Sequence, residues 1–141
     1  PQDLKKRFEA SKKVMRHPSV IITNIEDHLK TKYTAETLQK IQSIYPGVKF
    51  VWLMGADNLV NFHRWDKWTW ILKNVSVGVL ARPGEQIRAG LSPAATYYQK
   101  FRLPPERANQ LAILKPPNWT LLIGPMRDIS STRLRNQGVW P

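Results

Sequence analysis

Lys49-Phe50-Val51-Trp52-Leu53-Met54-Gly55-Ala56-Asp57-Asn58 is the stretch that decides the fold class. Every residue from Phe50 to Met54 is apolar. A strand with one wet face alternates apolar and polar positions. An unbroken run of this length therefore predicts a strand covered on both faces, as in a parallel sheet. Gly55 to Asn58 reads as a turn into a short helix from Leu59. Ligands of open parallel sheets bind outside the carboxyl ends of the strands, so this turn is a candidate site.

Working outward, Val75 to Ala81 is a second buried strand, closed by Arg82-Pro83-Gly84, and Trp119 to Ile123 is a third. Upstream, β-branched Ser19 to Ile22 predicts another short strand. Helical spacing appears between them. Leu4 to Met15 reads as an amphipathic helix, stopped by His17-Pro18 because a residue before proline is pushed out of the helical region. Thr34 is expected to cap a helix bearing Leu38, Ile41, Ile44 and Tyr45, which Pro46-Gly47 ends. A further helix is expected near Asp66, with Trp68, Ile71 and Leu72 inward. Pro93 to Phe101 has helical character within a proline-rich, otherwise irregular excursion over residues 85–117, and Ser130 caps a last helix from Ser131 to about Asn136. Strands alternating with helices predict an α/β fold with a mainly parallel sheet, a single domain over residues 1–141.

The charge is the unusual global property. Twenty-two Lys and Arg against ten Asp and Glu give +12, so phosphate-bearing partners are expected. The basic residues are scattered, which leaves a solvated basic surface as the plain alternative. With no cysteine there is neither a disulfide framework nor a thiolate metal site. The longest apolar run is far too short to span a membrane. The first thirty residues lack the apolar centre of a signal peptide, and the expected location is the cytoplasm, with no membrane partner.

Three loops leave the carboxyl ends of the expected strands. In the last, Ser130, Ser131 and Thr132 open a helix whose free amides and hydroxyls make an anion site, with Arg133 and Arg135 about a turn away. Guanidinium forks match phosphate oxygens. An ordinary capped, basic surface helix would look the same. Gly55 would let a ligand approach the backbone. Asp57 would accept two ribose hydroxyls or simply cap the helix after it. Trp65 would stack on an aromatic ring, or act as a hydrophobic staple at a helix entrance.

Taken together these residues resemble the bacterial nicotinate-nucleotide adenylyltransferases. Tyr33-Thr34-Ala35-Glu36-Thr37-Leu38 is similar to that family's tyrosine-threonine-x-x-threonine-leucine motif. Leu53 to Leu59 is similar to its glycine-x-aspartate turn, Trp65 stands where the family has its nicotinate-stacking tryptophan, and Ala81-Arg82-Pro83-Gly84 is similar to its arginine-proline-glycine strand end. Ile129-Ser130-Ser131-Thr132-Arg133-Leu134-Arg135 matches the superfamily signature of isoleucine, two serines, threonine and a later arginine. Five motifs in the correct order make coincidence a poor explanation.

The resemblance implies a Rossmann-like nucleotidyltransferase that transfers the adenylyl group of ATP to nicotinate mononucleotide, giving deamido-NAD and pyrophosphate. It implies that backbone amides near Thr34 and Ala35 and at Asp66 hold the nicotinate carboxylate, with Trp65 stacked on the ring. Gly55 and Asp57 would meet ribose hydroxyls on the ATP side, while Ile129, Ser130, Ser131, Thr132 and Arg135 would hold the ATP phosphates. Arg133 falls at a variable position and is assigned only general basicity. Mg²⁺ is expected with ATP as substrate, and no protein-held metal site is expected.

One departure matters. The family opens with a strand and a glycine-rich loop ending in histidine-x-glycine-histidine. The histidines here are His17, His28 and His63, and none has that spacing. They are expected to be surface or structural. The domain is thus expected to be partial, lacking the amino-terminal strands and the catalytic histidines, and inactive alone. Two alternatives stay open: an enzyme like phosphopantetheine adenylyltransferase, or a basic nucleic-acid-binding module. The partners expected are small molecules rather than nucleic acid, and a homo-oligomer is left open.

Overall fold

The computed structural model describes residues 4–81, 84–124 and 136–138. The chain forms two compact units, residues 32–128 and residues 1–31 with 129–141. In the second of these, α1 (Leu4–Val14) carries Lys12 over the Phe8 ring at 4.2 Å. α2 (Ile25–Leu29) ends at Lys30, whose left-handed φ of 51° turns the chain.

The strand expected over Ser19 to Ile22 is not formed. Val20 donates its N–H to the His17 carbonyl at 3.0 Å, closing a turn around Pro18, and Ile21 is 86% exposed. β-Branched residues favour strands only where a neighbouring strand and a buried face receive them. No described strand pairs with these residues.

The unit of residues 32–128 is built on three described parallel strands in the order β1 (Val51–Gly55), β2 (Ser76–Leu80), β3 (Trp119–Leu122). Leu53 pairs with Gly78 and Met54 with Val79, while Val79 pairs with Leu121. Period two then puts Met54, Val77, Val79, Trp119 and Leu121 on one face, all buried. Against that face pack Leu59 and Phe62 of the segment after β1 and Ile71 and Leu72 of α5 (Trp68–Asn74). α3 (Thr34–Ile44) adds Ala35 and Leu38, and α4 (Ala56–Asn61) leads directly out of β1.

The other face is covered only in part. Leu111, from a 3₁₀ helix over Pro105–Ala112, lies over Gly78, but Leu53 remains 55% exposed. The unbroken apolar run thus predicted the strand correctly and its second cover only partly. Leu53 and Leu122 lean over Gly78 from the two neighbouring strands, so a Cβ there would lie 2.7 Å and 3.0 Å from their methyl carbons.

Residues 85–117 fold as short helical pieces, among them α6 (Gln86–Gly90) and α7 (Pro93–Tyr97). Ser92 caps α7 by accepting the Ala95 N–H, with Pro93 at the first helical position, where its missing N–H costs nothing. The chain then runs beside β3: Leu103 donates its N–H to the Trp119 carbonyl at 2.8 Å, and the Thr120 hydroxyl donates to the Leu103 carbonyl at 2.7 Å. Trp119 donates its indole N–H to the Tyr98 carbonyl at 2.9 Å, satisfying a buried donor.

Candidate active site

The first wall of the site is the amino-terminus of α3. Thr34 was expected as its cap, but Tyr33 occupies that position with extended backbone, and Thr34 is the first helical residue. The Glu36 carboxylate reaches back to accept the N–H groups of Lys32 at 3.3 Å and Tyr33 at 3.4 Å. This is the reciprocal arm of a capping box, and it fixes the angle at which the chain enters the helix. The first intrahelical bond runs from the Thr37 N–H to the Tyr33 carbonyl at 3.1 Å. The amides of Thr34 and Ala35 precede it and so keep their donors, at the positive end of the helix dipole. Ala35 is fully buried as a residue, backbone included, so of this pair only Thr34 is open to a ligand.

The second wall is the segment after α4. Phe62 is fully buried at the start of a 3₁₀ turn over Phe62–Arg64. Trp65 meets it edge-on, with ring centroids 5.2 Å apart and an interplanar angle of 67°. The Trp65 N–H donates to the Phe62 carbonyl at 3.0 Å, and the Trp65 carbonyl accepts the Trp68 N–H at 3.3 Å. Between these bonds Lys67 adopts a left-handed φ of 49°, and α5 starts at Trp68, two positions after Asp66, near which a helix was expected. The Asp66 N–H has no hydrogen-bond partner among the described residues.

The walls meet in a cleft of about 300 Å³ lined by Lys32, Tyr33, Thr34, Arg64, Trp65 and Asp66. Trp65 is half-buried: part of its ring rests on the core beside Phe62, and part lines the cleft. The two roles that were alternatives in the sequence, staple and platform, are thus geometrically compatible in one side chain. The cleft offers an aromatic surface, unpaired amides at a helix amino-terminus, and cations. That set suits a flat ring bearing an anion.

Thr34, Trp65 and Asp66 therefore come together, with Ala35 behind Thr34. Gly55 and Asp57 do not line this cleft. Gly55 ends β1 opposite Leu80 and serves as the cap of α4, with φ −76° and ψ 157°, a conformation open to any residue. Asp57 is exposed in the first turn of α4, two positions beyond the cap, Gly55. Ile129, Ser130, Ser131, Thr132, Arg133 and Arg135 lie outside the described residues, as do Arg82 and Pro83.

Lys32, Tyr33 and Arg64 line the cleft without having been expected there. The available signal was proximity in sequence, since Tyr33 and Arg64 each adjoin an assigned residue and Lys32 is two positions from Thr34. The histidines are dispersed. His17 accepts the Ser19 N–H through Nδ1 at 3.2 Å, His28 Nδ1 lies 3.2 Å from the Asn24 carbonyl, and the His63 Nδ1 is buried without a partner. No described group of three His, Asp or Glu side chains is placed to hold a metal ion. No described helix is long and apolar enough to cross a membrane.

Comparison with known proteins adds an independent line. Residues 2–137 match the cytidylyltransferase-like family model. The chain is 51% identical over 140 residues to a probable nicotinate-nucleotide adenylyltransferase of Cereibacter sphaeroides, covering 99% of this chain and 74% of the relative. A protein of the same name from a Ruegeria species is 48% identical, with the same two coverages. Among solved structures, Plasmodium falciparum nicotinic acid mononucleotide adenylyltransferase complexed with APC superposes with a TM-score of 0.64. It is 14% identical, and the match covers 96% of this chain and 62% of that one, so it speaks for the fold alone.

Proposed function

We infer the function from the premise that this chain belongs to the cytidylyltransferase-like family and, within it, to the nicotinate-nucleotide adenylyltransferases: the enzyme transfers the adenylyl group of ATP to nicotinate mononucleotide. A phosphate oxygen of the mononucleotide bonds to the α-phosphorus of ATP. The bond from that phosphorus to the bridging oxygen breaks, deamido-NAD forms, and pyrophosphate leaves. No protein nucleophile is needed. Positioning and charge neutralisation carry the step.

The observation that carries this reading is the cleft in which the Tyr33-Thr34 and Trp65-Asp66 segments meet. Trp65 supplies a π face for the pyridine ring. The amides of Thr34 and Asp66 donate to its carboxylate. Gly55 and Asp57, at the carboxyl end of β1, face the ribose of ATP, and Ile129, Ser130, Ser131, Thr132 and Arg135 bind its phosphates. Mg²⁺ arrives with ATP as part of that substrate. The reaction belongs to the cytoplasm, where ATP is made.

The test is direct. The complete enzyme, supplied with ATP, Mg²⁺ and nicotinate mononucleotide, should release deamido-NAD and pyrophosphate in equal amounts. Product formed with phosphopantetheine instead, or tight oligonucleotide binding without nucleotide chemistry, would overturn the assignment.

A further inference from the structure

Lys32 and Arg64 stand one on each wall of the cleft, and none of the roles above uses them. We propose that these two cations contribute to the choice of the acidic mononucleotide over its carboxamide counterpart, through charge rather than hydrogen-bond geometry. The inference rests on the reading of this cleft as the nicotinate mononucleotide site.

Both side chains are exposed, and neither has an ion-pair partner among the described residues. Lys32 Nζ lies 5.6 Å from the Tyr33 ring, an orientation that keeps it by the α3 wall. Its backbone is pinned by Glu36, so the position is held by the helix entrance itself. Arg64 is the last residue of the 3₁₀ turn, immediately before the tryptophan. Asp66 supplies the one opposing charge on the cleft lining, also without an ion-pair partner among the described residues. The lining therefore has a net formal charge of +1, and the amino-terminus of α3 adds partial charge of the same sign.

The two mononucleotides share ring, ribose and phosphate. They differ in one group, which is anionic in the acid and neutral in the amide. Any attraction to the phosphate cancels in the ratio of affinities, which isolates the carboxylate. Neither cation has a carboxylate partner among the described residues to give up, so its field is available to the ligand. In an exposed cleft that field is screened by salt, over about 30 Å at 0.01 M and about 3 Å at 1 M. Selection by directed amide donors lacks this strong salt dependence. Ionic strength therefore separates the two mechanisms.

The experiment is equilibrium titration of the complete enzyme with nicotinate mononucleotide and with nicotinamide mononucleotide, at about 0.01 M and about 1 M salt. It compares the unaltered protein with Lys32→Gln, Arg64→Gln, the double variant, and the charge-keeping Lys32→Arg/Arg64→Lys. Each neutralisation should lower the acid-to-amide affinity ratio about one-and-a-half- to fivefold at low salt, the scale of exposed charge pairs. The ratio should fall as salt rises in the unaltered protein and in the charge-keeping variant, but not in the double variant, where Asp66 is the one charged side chain left on the lining. Asp66→Asn should move the ratio the other way. If the double variant keeps both the ratio and its salt response, or loses the two ligands equally, the proposal is overturned while the cleft assignment stands. If neither mononucleotide binds the unaltered enzyme, the cleft assignment itself has failed.

Discussion

The role proposed for Trp65 depends on where its two faces lie. Its edge contact with the buried Phe62 removes rotational freedom before any ligand arrives, so the ring is offered to the cleft already oriented. Stacking on a pyridine ring contributes about 0.5–1.5 kcal/mol beyond area burial. Trp65→Ala in the complete enzyme should therefore weaken nicotinate and nicotinamide mononucleotides together, by roughly three- to tenfold, and leave their ratio nearly unchanged. Titration with each ligand checks this, and an unchanged affinity would reduce Trp65 to a packing residue. The two carboxy-terminal arginines make a second contrast. By resemblance, Arg135 takes the fixed position of the superfamily signature and is proposed to hold ATP phosphates, while Arg133 takes a variable one. Arg135→Ala should raise KM for ATP and lower turnover by about ten- to a hundredfold, since a charge-assisted contact contributes about 1.5–3 kcal/mol. Arg133→Ala should do much less, and equal effects would mean that only bulk positive charge matters.

At the scale of elements, the proposed recognition depends on the entrance to α3. Glu36 is its brace: one carboxylate receives two consecutive amides, from Lys32 and Tyr33, and so holds the start of the helix beside the cleft. Glu36→Ala should cost about 0.5–2 kcal/mol of stability, the range for loss of a helix cap. It should also raise KM for nicotinate mononucleotide while leaving KM for ATP close to its original value. Thermal unfolding and steady-state kinetics together check the pair of effects. A stability loss without a KM change would separate the brace from the site. Gly78 makes a different point about β2. The atoms that crowd its missing Cβ are the ends of Leu53 and Leu122 side chains, and Leu53 is largely in water. Gly78→Ala should thus be a mild change of about 1 kcal/mol or less, because an exposed leucine has room to rotate away.

At the scale of the molecule, the described sheet has its edges at β1 and β3. Leu103 lies along β3 and donates to it, whereas no described residue pairs with the outer edge of β1. Trp52, on that strand, buries its indole nitrogen without a partner, and Leu53 and Leu80 leave apolar surface in water. Such an edge is a template for association. The 141-residue chain should therefore associate as its concentration rises, which sedimentation would reveal. These residues contain no histidine-x-glycine-histidine run, and the histidines that are present are dispersed. By themselves they should form no deamido-NAD from ATP and nicotinate mononucleotide, and detectable product would refute that expectation.

Local patterns were readable without any structure. Five apolar residues in succession marked β1, Pro46-Gly47 ended α3 where the helix does end, and the order of the motifs identified the family. Such signals depend on neighbours within a turn or two, and the sequence carries those neighbours explicitly. The Ser19 to Ile22 strand failed for the complementary reason, since β-branching is a preference that only a pairing partner makes real. The cleft belongs to the second category entirely. Thr34 and Trp65 are more than thirty positions apart, and nothing local indicates that Lys32 and Arg64 share a cavity with them. That meeting follows from Ala35 and Leu38 of α3 and Phe62 and Ile71 beyond β1 burying their side chains in one core. Burial is non-directional and sums over the whole chain, so which surfaces it brings face to face was decided only by the folded molecule.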